Sequence, residues 1–143
     1  MDTPEQNKRI VRRFFDDVCN KGKKEIILEI FAETVRFNGK REPSYKSVKK
    51  YLKKIKKSFT DPYVQVKEQI AERDMVSTSR VWTGIQKKDY NHYPSTGKLM
   101  TWTEISVVRF LTGKIVEDSV MSSPLVPVKN EDISAVAGCA TNK

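Results

Sequence analysis

The apolar residues near the start of the chain recur at the spacing of an α-helix. Ile10, Phe14 and Val18 follow one another at intervals of four residues, so they form a stripe along one helix face. Thr3 stands where a side-chain cap belongs, and Gly22 stands where the helix should stop. The stretch "TPEQNKRIVRRFFDDVCNKG" therefore predicts a first helix that is buried on one side.

Two further helices and a strand are predicted ahead of Asp61. The segment "KKEIILEIFAETVRF" continues as a short second helix to about Phe31, after which Val35 and Phe37 alternate with polar residues as in a strand. The next stretch, "NGKREP", has the composition of a loop. A third helix is predicted over "SYKSVKKYLKKIKKSF" from its apolar stripe, which comprises Val48, Leu52, Ile55 and Phe59.

From Tyr63 onward the apolar positions alternate with a period of two, which predicts antiparallel strands. The four predicted strands are "YVQVKEQIAE", "MVSTSRVWTGI", "KLMTWTEISVVRF" and "KIVEDSVMSS". The polar stretch "QKKDYNHYPSTG" connects the second to the third, and "LTGK" joins the last two, with Gly113 suited to a turn that needs positive φ. Helices followed by a run of antiparallel strands indicate the α+β class.

The chain has 143 residues, which fits a single domain. We assign residues 1–125 to that domain. The remaining residues, 126–143, read "VPVKNEDISAVAGCATNK" and predict a partly ordered C-terminal tail.

The net charge is +9, and much of it falls in the predicted third helix. Seven lysines lie there: Lys46, Lys49, Lys50, Lys53, Lys54, Lys56 and Lys57. Such a run is either a solvated face that keeps the protein soluble or a face that attracts an anionic partner. Nucleic acid is the less favoured partner, because lysine dominates over arginine and no nucleic-acid-binding motif is present. A membrane-spanning segment is not expected, because no apolar run is long enough.

The reactive residue types form no familiar constellation. The two cysteines, Cys19 and Cys139, are far apart and have no histidine spacing that would suit zinc, so we expect no metal site. Phosphate loops, dinucleotide fingerprints and nucleophile triads are absent from the sequence. The simplest expectation is a soluble, cytoplasmic, reduced protein whose reaction, if it has one, needs no cofactor.

Four local stretches stand out in the order of the predicted elements, and together they span about Asn7 to Ser123. They are "VRRFFDDVCNKG" leading to "ILEIFAETVRF", then "IAERDMV", "YPSTGKLMTWTEISVVRF" and "GKIVED". In this order they resemble the SnoaL-like polyketide cyclase family. The resemblance implies the nuclear-transport-factor-2-like fold. In that fold, a cone-shaped α+β barrel, three N-terminal helices pack on a curved, mainly antiparallel sheet and enclose a pocket. The same fold hosts enzymes and non-enzymes, so it does not define a reaction.

The chain departs from the family at positions that carry chemistry. The family's pocket histidine and aspartate align with Ser106 and Val120, and another common histidine aligns with Asn38. The usual acid of an aldol cyclisation is therefore missing from its place. This departure argues against the simplest cyclase chemistry.

Strand alternation offers two other carboxyl groups in this region. If Ser106 and Val120 face the pocket, Glu104 and Asp118 face it too. The same faces would carry Trp102, Val108, Val116 and Ser122. A short turn between the strands would bring Glu104 and Asp118 nearly opposite each other, so that one keeps its proton as general acid and the other is the general base. The alternative is a bulge that breaks the alternation and leaves both in solvent.

Seven further residues are candidate substrate-binding groups: Arg80, Asn38, Tyr51, Trp102, Ser106, Phe14 and His92. Arg80 either points to water or leans into the pocket to pair with Glu104. His92 is the only histidine and lies in a predicted loop, either on the surface or at the rim of the pocket. The aromatic residues fit a core or the wall of a hydrophobic pocket.

These observations favour a cofactor-independent acid/base enzyme, either an isomerase or cyclase or a ring-opening hydrolase. Its substrate would be a hydrophobic, oxygenated small molecule such as a polyketide or terpenoid biosynthetic intermediate. The alternative is a non-catalytic module on the same fold that binds a small ligand or a protein. The resemblance implies a homodimer formed through the outer sheet face. Alternation would place Ile105, Val107, Ile115 and Met121 there, and an exposed apolar patch of this kind would suit a dimer.

Overall fold

A computed structural model describes residues 3–129. Helix α1 (Pro4–Arg13) begins at a capping box, in which the Thr3 hydroxyl accepts from the backbone N–H of Gln6 and the Gln6 side chain accepts from the backbone N–H of Thr3. The helix continues into a π-helical segment (Phe14–Cys19), whose wider turns bury Phe14, Phe15 and Val18 together. A 3₁₀ turn (Lys24–Ile26) and the short helix α2 (Ile27–Ile30) follow.

The rest of the described chain forms helix α3 and one curved sheet. Helix α3 spans Ser44–Ser58. The strands are β1 (Phe31–Phe37), β2 (Lys40–Pro43), β3 (Phe59–Glu72), β4 (Met75–Gln86), β5 (Leu99–Leu111), β6 (Lys114–Ser122) and β7 (Val126–Pro127). They lie in the order β2-β1-β6-β5-β4-β3, with β7 paired to β5, and every pairing except β1–β6 is antiparallel. The predicted α+β cone is confirmed.

Two local predictions were wrong. Phe31 does not end the second helix but begins β1, where it pairs with Ile115 of β6. The stretch predicted as a loop after Phe37 turns at Asn38 and Gly39, both with positive φ, and returns as β2. In both places a long-range strand pairing overrides the local pattern, which is the usual limit of propensity arguments.

Alternation in β5 follows the prediction. Trp102, Glu104, Ser106 and Val108 are buried on the concave face, whereas Ile105 and Val107 are exposed on the outer face. Strand β6 departs from the predicted alternation near its first residues, where it contains a β-bulge. Arg109 pairs with Glu117 and Phe110 pairs with Ile115, which leaves Val116 as an extra residue. Ile115 is therefore only 1% exposed, and it lines the interior instead of the outer face; the prediction that Val116 faces the pocket was also wrong.

The core lies between the concave face of the sheet and the helices. Trp82 of β4 and Trp102 of β5 are paired across the sheet, and their rings stack at 5.7 Å. Gly84 allows Phe59 to approach closely, since a Cβ at position 84 would lie 2.9 Å from the Cβ of Phe59. These contacts fix the strands that carry the interior polar groups.

The sheet continues past the predicted domain boundary at residue 125, because β7 pairs with Met100 and Thr101. Residues 130–143, including Cys139 and most of the predicted tail, lie outside the described residues. In the described part of the chain, no helix combines the length and the apolar character needed to cross a membrane.

Candidate functional site

The sheet and helices enclose a cavity of about 530 Å³. All nine predicted site residues line it: Phe14, Asn38, Tyr51, Arg80, His92, Trp102, Glu104, Ser106 and Asp118. Aromatic side chains from the π-helical segment and β1 form much of the wall, including Phe15, Phe31 and Phe37. An apolar chamber with a few converging polar groups is typical of a small-molecule site.

Glu104 is the centre of a buried hydrogen-bond network. Its Oε1 lies 3.2 Å from Nε and Nη2 of Arg80, its partner across β4 and β5. The indole N–H of Trp82 donates to Oε1 at 3.0 Å, and that of Trp102 donates to Oε2 at 3.3 Å. The Tyr51 hydroxyl of α3 donates to the same carboxylate at 3.0 and 3.2 Å. Since guanidinium and indole groups can only donate, both carboxyl oxygens of Glu104 act as hydrogen-bond acceptors.

Arg80 is fully enclosed by the same network. Its side chain is 4% exposed, its Nη1 donates to the hydroxyl oxygen of Ser106, and the ring of Phe15 covers it at 4.4 Å. Of the two possibilities for Arg80, the structure places it inside and paired with Glu104. Because Ser106 accepts from Arg80, its own hydroxyl proton remains to be donated.

Asp118 does not lie opposite Glu104, so that prediction was wrong. Asp118 pairs with Val108, whereas Glu104 pairs with Ser122. The turn that pairs Leu111 with Lys114 sets this register. Asp118 is thus four residues along the sheet from the level of Glu104, a separation of about 13 Å along a strand.

The carboxyl group of Asp118 lacks the partners that Glu104 has. Its Oδ1 is buried without a hydrogen-bond partner among the described residues. Burial raises its pKa from 3.8 to about 6; Arg80 opposes this shift, and the negative charge of Glu104 adds to it. Asp118 can therefore gain or lose a proton near neutral pH.

Asn38 supports the strand segment that carries Asp118. Its backbone N–H donates to the carbonyl of Asp118 at 2.9 Å, and its side-chain oxygen accepts from the backbone N–H of Val120 at 2.8 Å. Asn38 adopts φ 48, a left-handed conformation that asparagine tolerates better than most residues. The side chain predicted to bind substrate thus has its acceptor oxygen occupied by β6.

The rim of the cavity is built by α3 and the connection between β4 and β5. His92 is exposed there and its ring packs on Tyr93 at 4.3 Å. Lys54 of α3 donates to Asn91 and lies 5.5 Å from the ring of Tyr90. Burial also raises the pKa of Tyr90 to about 12 and that of Tyr51 well above its ordinary value, so both hydroxyls stay protonated.

Sequence reasoning missed Tyr90, Tyr93 and Lys54 as cavity residues. The two tyrosines flank His92 in "DYNHYPS", and a pair of aromatic residues around a predicted rim histidine was the available signal. Lys54 had no such signal, because it looks like every other lysine of its helix. Within residues 3–129, no three His, Cys, Asp or Glu side chains converge as metal ligands.

Comparisons with known proteins agree with this architecture. The chain matches the SnoaL-like polyketide cyclase model over residues 9–122 and belongs to that family. No curated protein sequence matches it significantly.

Several solved structures share the fold. One is a candidate polyketide cyclase from Acidithiobacillus ferrooxidans, with 22% identity, TM-score 0.69, and coverage of 86% of this chain and 92% of that one. Another is IdmH from Streptomyces antibioticus, described as a candidate polyketide cyclase, with 19% identity, TM-score 0.69, and coverage of 93% and 99%. A third is AclR from Streptomyces galilaeus, described as a candidate hydroxylase, with 20% identity, TM-score 0.69, and coverage of 85% and 91%. At these identities the likeness concerns the fold alone.

Proposed function

We propose that this protein is a cofactor-independent acid/base enzyme that isomerises, cyclises or opens a ring in a hydrophobic, oxygenated small molecule. Polyketide and terpenoid biosynthetic intermediates are the substrate class that fits the family and the aromatic cavity. The observation that carries the proposal is the Asp118 carboxyl, which faces the cavity with an unpartnered oxygen and a pKa of about 6.

In this proposal Asp118 is the acid/base group and Glu104 is a positioning residue. Asp118 removes a proton from the carbon next to a substrate carbonyl and returns it at the end of the reaction. The oxygen on which negative charge develops accepts from the Ser106 hydroxyl, which the Arg80 cation polarises. Ser106 pairs with Val120, so Ser106 and Asp118 are diagonal neighbours about 7–8 Å apart, with room for a substrate between them.

A proton-exchange assay tests the proposal directly. α-Tetralone, an aromatic ketone, is incubated with the protein in D₂O, and loss of its α-proton signal is followed by NMR. The wild-type protein should accelerate exchange, and Asp118→Asn should abolish the acceleration. Limonene oxide in ¹⁸O-labelled water tests the ring-opening reaction in the same way.

The second candidate is a non-catalytic module that binds a small ligand in the cavity. The observation in its favour is that Glu104 is saturated with donors, while the family's histidine and aspartate positions hold Ser106 and Val120. Tight binding of aromatic ketones without exchange or ring opening would support this candidate.

We also propose that two copies associate through the outer face of the sheet. Ile105 and Met121 are paired across β5 and β6, with exposures of 51% and 81%, and Val107 lies beside them. A contiguous exposed apolar patch of this kind is typical of an interaction surface.

A further inference from the structure

We propose that a groove beside α3 is a docking site for a partner protein that presents an amphipathic helix with acidic flanks. The groove, called here the basic groove, lies between α3, the end of the π-helical segment and the first residues of β3. Eight lysines line it: Lys21, Lys24, Lys46, Lys49, Lys50, Lys53, Lys56 and Lys87. Only two acidic residues, Asp16 and Asp61, line it with them.

The groove carries far more positive than negative charge, because its eight lysines are accompanied only by Asp16 and Asp61 among the lining residues. Lys21 lies 3.5 Å from the carboxylate of Asp17. The lysines of α3 are instead neighbours of one another at spacings of three and four residues, as Lys46 is of Lys49 and Lys50, which destabilises a helix. A surface that keeps such repulsion is complementary to an anionic partner.

The shape of the groove favours a protein over a small anion. Its volume is about 1590 Å³, beyond the usual range of small-molecule sites. The lysines from Lys46 to Lys56 follow the axis of α3 for about 15 Å. Apolar surface runs between the lysines, since Tyr45 is 39% exposed and Leu52 and Pro62 are half-buried. An apolar strip flanked by cations matches a helix with an apolar ridge flanked by anions.

Two further features disfavour a nucleic acid as the occupant. The groove contains no arginine among its lining residues, and arginine is the side chain that best recognises phosphate. The exposed ring of Tyr45 already contacts Lys49 at 5.1 Å, so it is not a free platform for a base. Self-association through the groove is disfavoured because the chain carries a net charge of +9.

The basic groove is separate from the proposed active site. No residue lines both the groove and the cavity, although α3 contributes to each. Docking can therefore be measured without reference to catalysis, and failure of one proposal leaves the other standing.

The test uses two synthetic helical peptides of the same length. One has leucines along a single face flanked by glutamates, and in the other each glutamate is replaced by glutamine. Fluorescence anisotropy with the full chain should show at least about tenfold tighter binding of the glutamate peptide, with an affinity that falls as salt rises. Equal binding of the two peptides would overturn the proposal.

Matched lysine variants locate the binding surface. Lys49→Gln/Lys53→Gln should weaken binding of the glutamate peptide about fivefold. Lys40→Gln/Lys98→Gln removes the same charge from exposed positions outside the groove and should change binding less than twofold. Equal effects of the two variants would show that only net charge matters and would overturn the docking site.

Two other occupants are tested with the same protein. Tighter binding of a 20-base-pair DNA duplex than of the glutamate peptide, lost in the Lys49→Gln/Lys53→Gln variant, would assign the groove to nucleic acid instead. A gain in peptide affinity after removal of residues 130–143 would make this chain's own C-terminal segment the occupant. Either result would overturn the proposal.

Discussion

Arg80 and Glu104 face each other directly across β4 and β5 and form an ion pair of 3.2 Å, with 4% and 5% of their side chains exposed. A buried ion pair is rarely the most stable way to fill a core, because both charges lose their hydration. Here the carboxylate also receives hydrogen bonds from two tryptophans and a tyrosine. The ion pair therefore stabilises one conformation of the inner cavity wall around Glu104. It also connects α3 to the sheet through the hydrogen bond from Tyr51.

The first prediction concerns the removal of one charge from this pair. Glu104→Gln leaves the Arg80 cation buried without its counterion, so we expect the free energy of unfolding to fall by about 3–5 kcal/mol. Urea unfolding followed by fluorescence of Trp82 and Trp102 measures it. Asp74→Asn at the half-exposed Arg109–Asp74 pair is the matched control and should cost less than about 1 kcal/mol. If Glu104→Gln costs no more than the control, the network does not stabilise the fold.

The second prediction concerns the pH dependence of activity. If Asp118 acts as the base, kcat/KM should fall as pH drops through about 6, where its carboxyl takes up a proton. Asp118→Asn should lower kcat/KM about 10²- to 10⁴-fold. Glu117→Gln changes the preceding residue, which lies outside the cavity, and should leave both the rate and the pH profile unchanged. A pH profile with no transition near 6 would argue against Asp118.

The third prediction concerns stability, and its sign follows from the raised pKa of Asp118. Between its ordinary pKa of 3.8 and its folded pKa of about 6, the folded state binds more protons than the unfolded state. The contribution of Asp118 to the free energy of unfolding is therefore most favourable below pH 3.8. It declines as pH rises and reaches its least favourable value above about pH 6. Asp118→Asn should then be more stable than the wild type at pH 7.5, by about 1–3 kcal/mol.

The difference in unfolding free energy between wild type and Asp118→Asn, measured from pH 3.5 to 8, checks this. The difference isolates one carboxyl group, since the other titrating groups are common to both proteins. A wild-type protein that is more stable than Asp118→Asn at pH 7.5 would show that the carboxylate has a favourable partner.

The fourth prediction separates the two roles of Asn38. Asn38→Gly keeps the left-handed conformation accessible and loses only the hydrogen bond to Val120, whereas Asn38→Ala also adds backbone strain. We expect Gly to cost about 1 kcal/mol and Ala about 1 kcal/mol more. Thermal unfolding of the pair measures the difference. Equal costs would mean that the conformation at residue 38 carries no strain.

The fifth prediction concerns the outer face of the sheet. Met121→Lys should dissociate the proposed dimer, because it places a charge in the apolar patch shared with Ile105. Sedimentation velocity at micromolar concentration distinguishes the two states. Leu28→Lys changes an exposed apolar residue on helix α2, away from the outer face of the sheet, and should leave the mass unchanged. A monomeric wild-type protein would contradict the dimer.

The sequence predicted the elements whose pattern is regular over many residues. α1, α3 and β5 follow their apolar patterns closely, except that Phe59, predicted to lie in α3, begins β3. The alternation in β5 correctly placed Glu104, Ser106 and Trp102 inside. The failures lie where a distant partner determines the outcome. Phe31 belongs to a strand because β6 is beside it, and Ile115 turns inward because a bulge absorbs Val116.

The character of the site was the harder part to predict. Alternation places a side chain on a face but does not specify its neighbours. Glu104 and Asp118 were indistinguishable as acidic residues in strands. Glu104 accepts hydrogen bonds from four side chains, whereas Oδ1 of Asp118 has no donor among the described residues. That difference depends on register, on which β4 residue faces Glu104, and on the reach of Tyr51 from α3.

The inner part of the cavity is held by the hydrogen-bond network of Glu104, whereas its rim is formed partly by the connection between β4 and β5. This difference bears on how the substrate specificity of the cavity could evolve. Changes to the inner part around Glu104 disturb several strands at once, so selection or mutagenesis there carries a folding penalty. The connection that holds Tyr90, His92 and Tyr93 lies beyond the ends of β4 and β5, and two of these three side chains are at least partly exposed. Substitutions in this connection are therefore the most accessible route to new substrates, because they leave the inner polar groups unchanged.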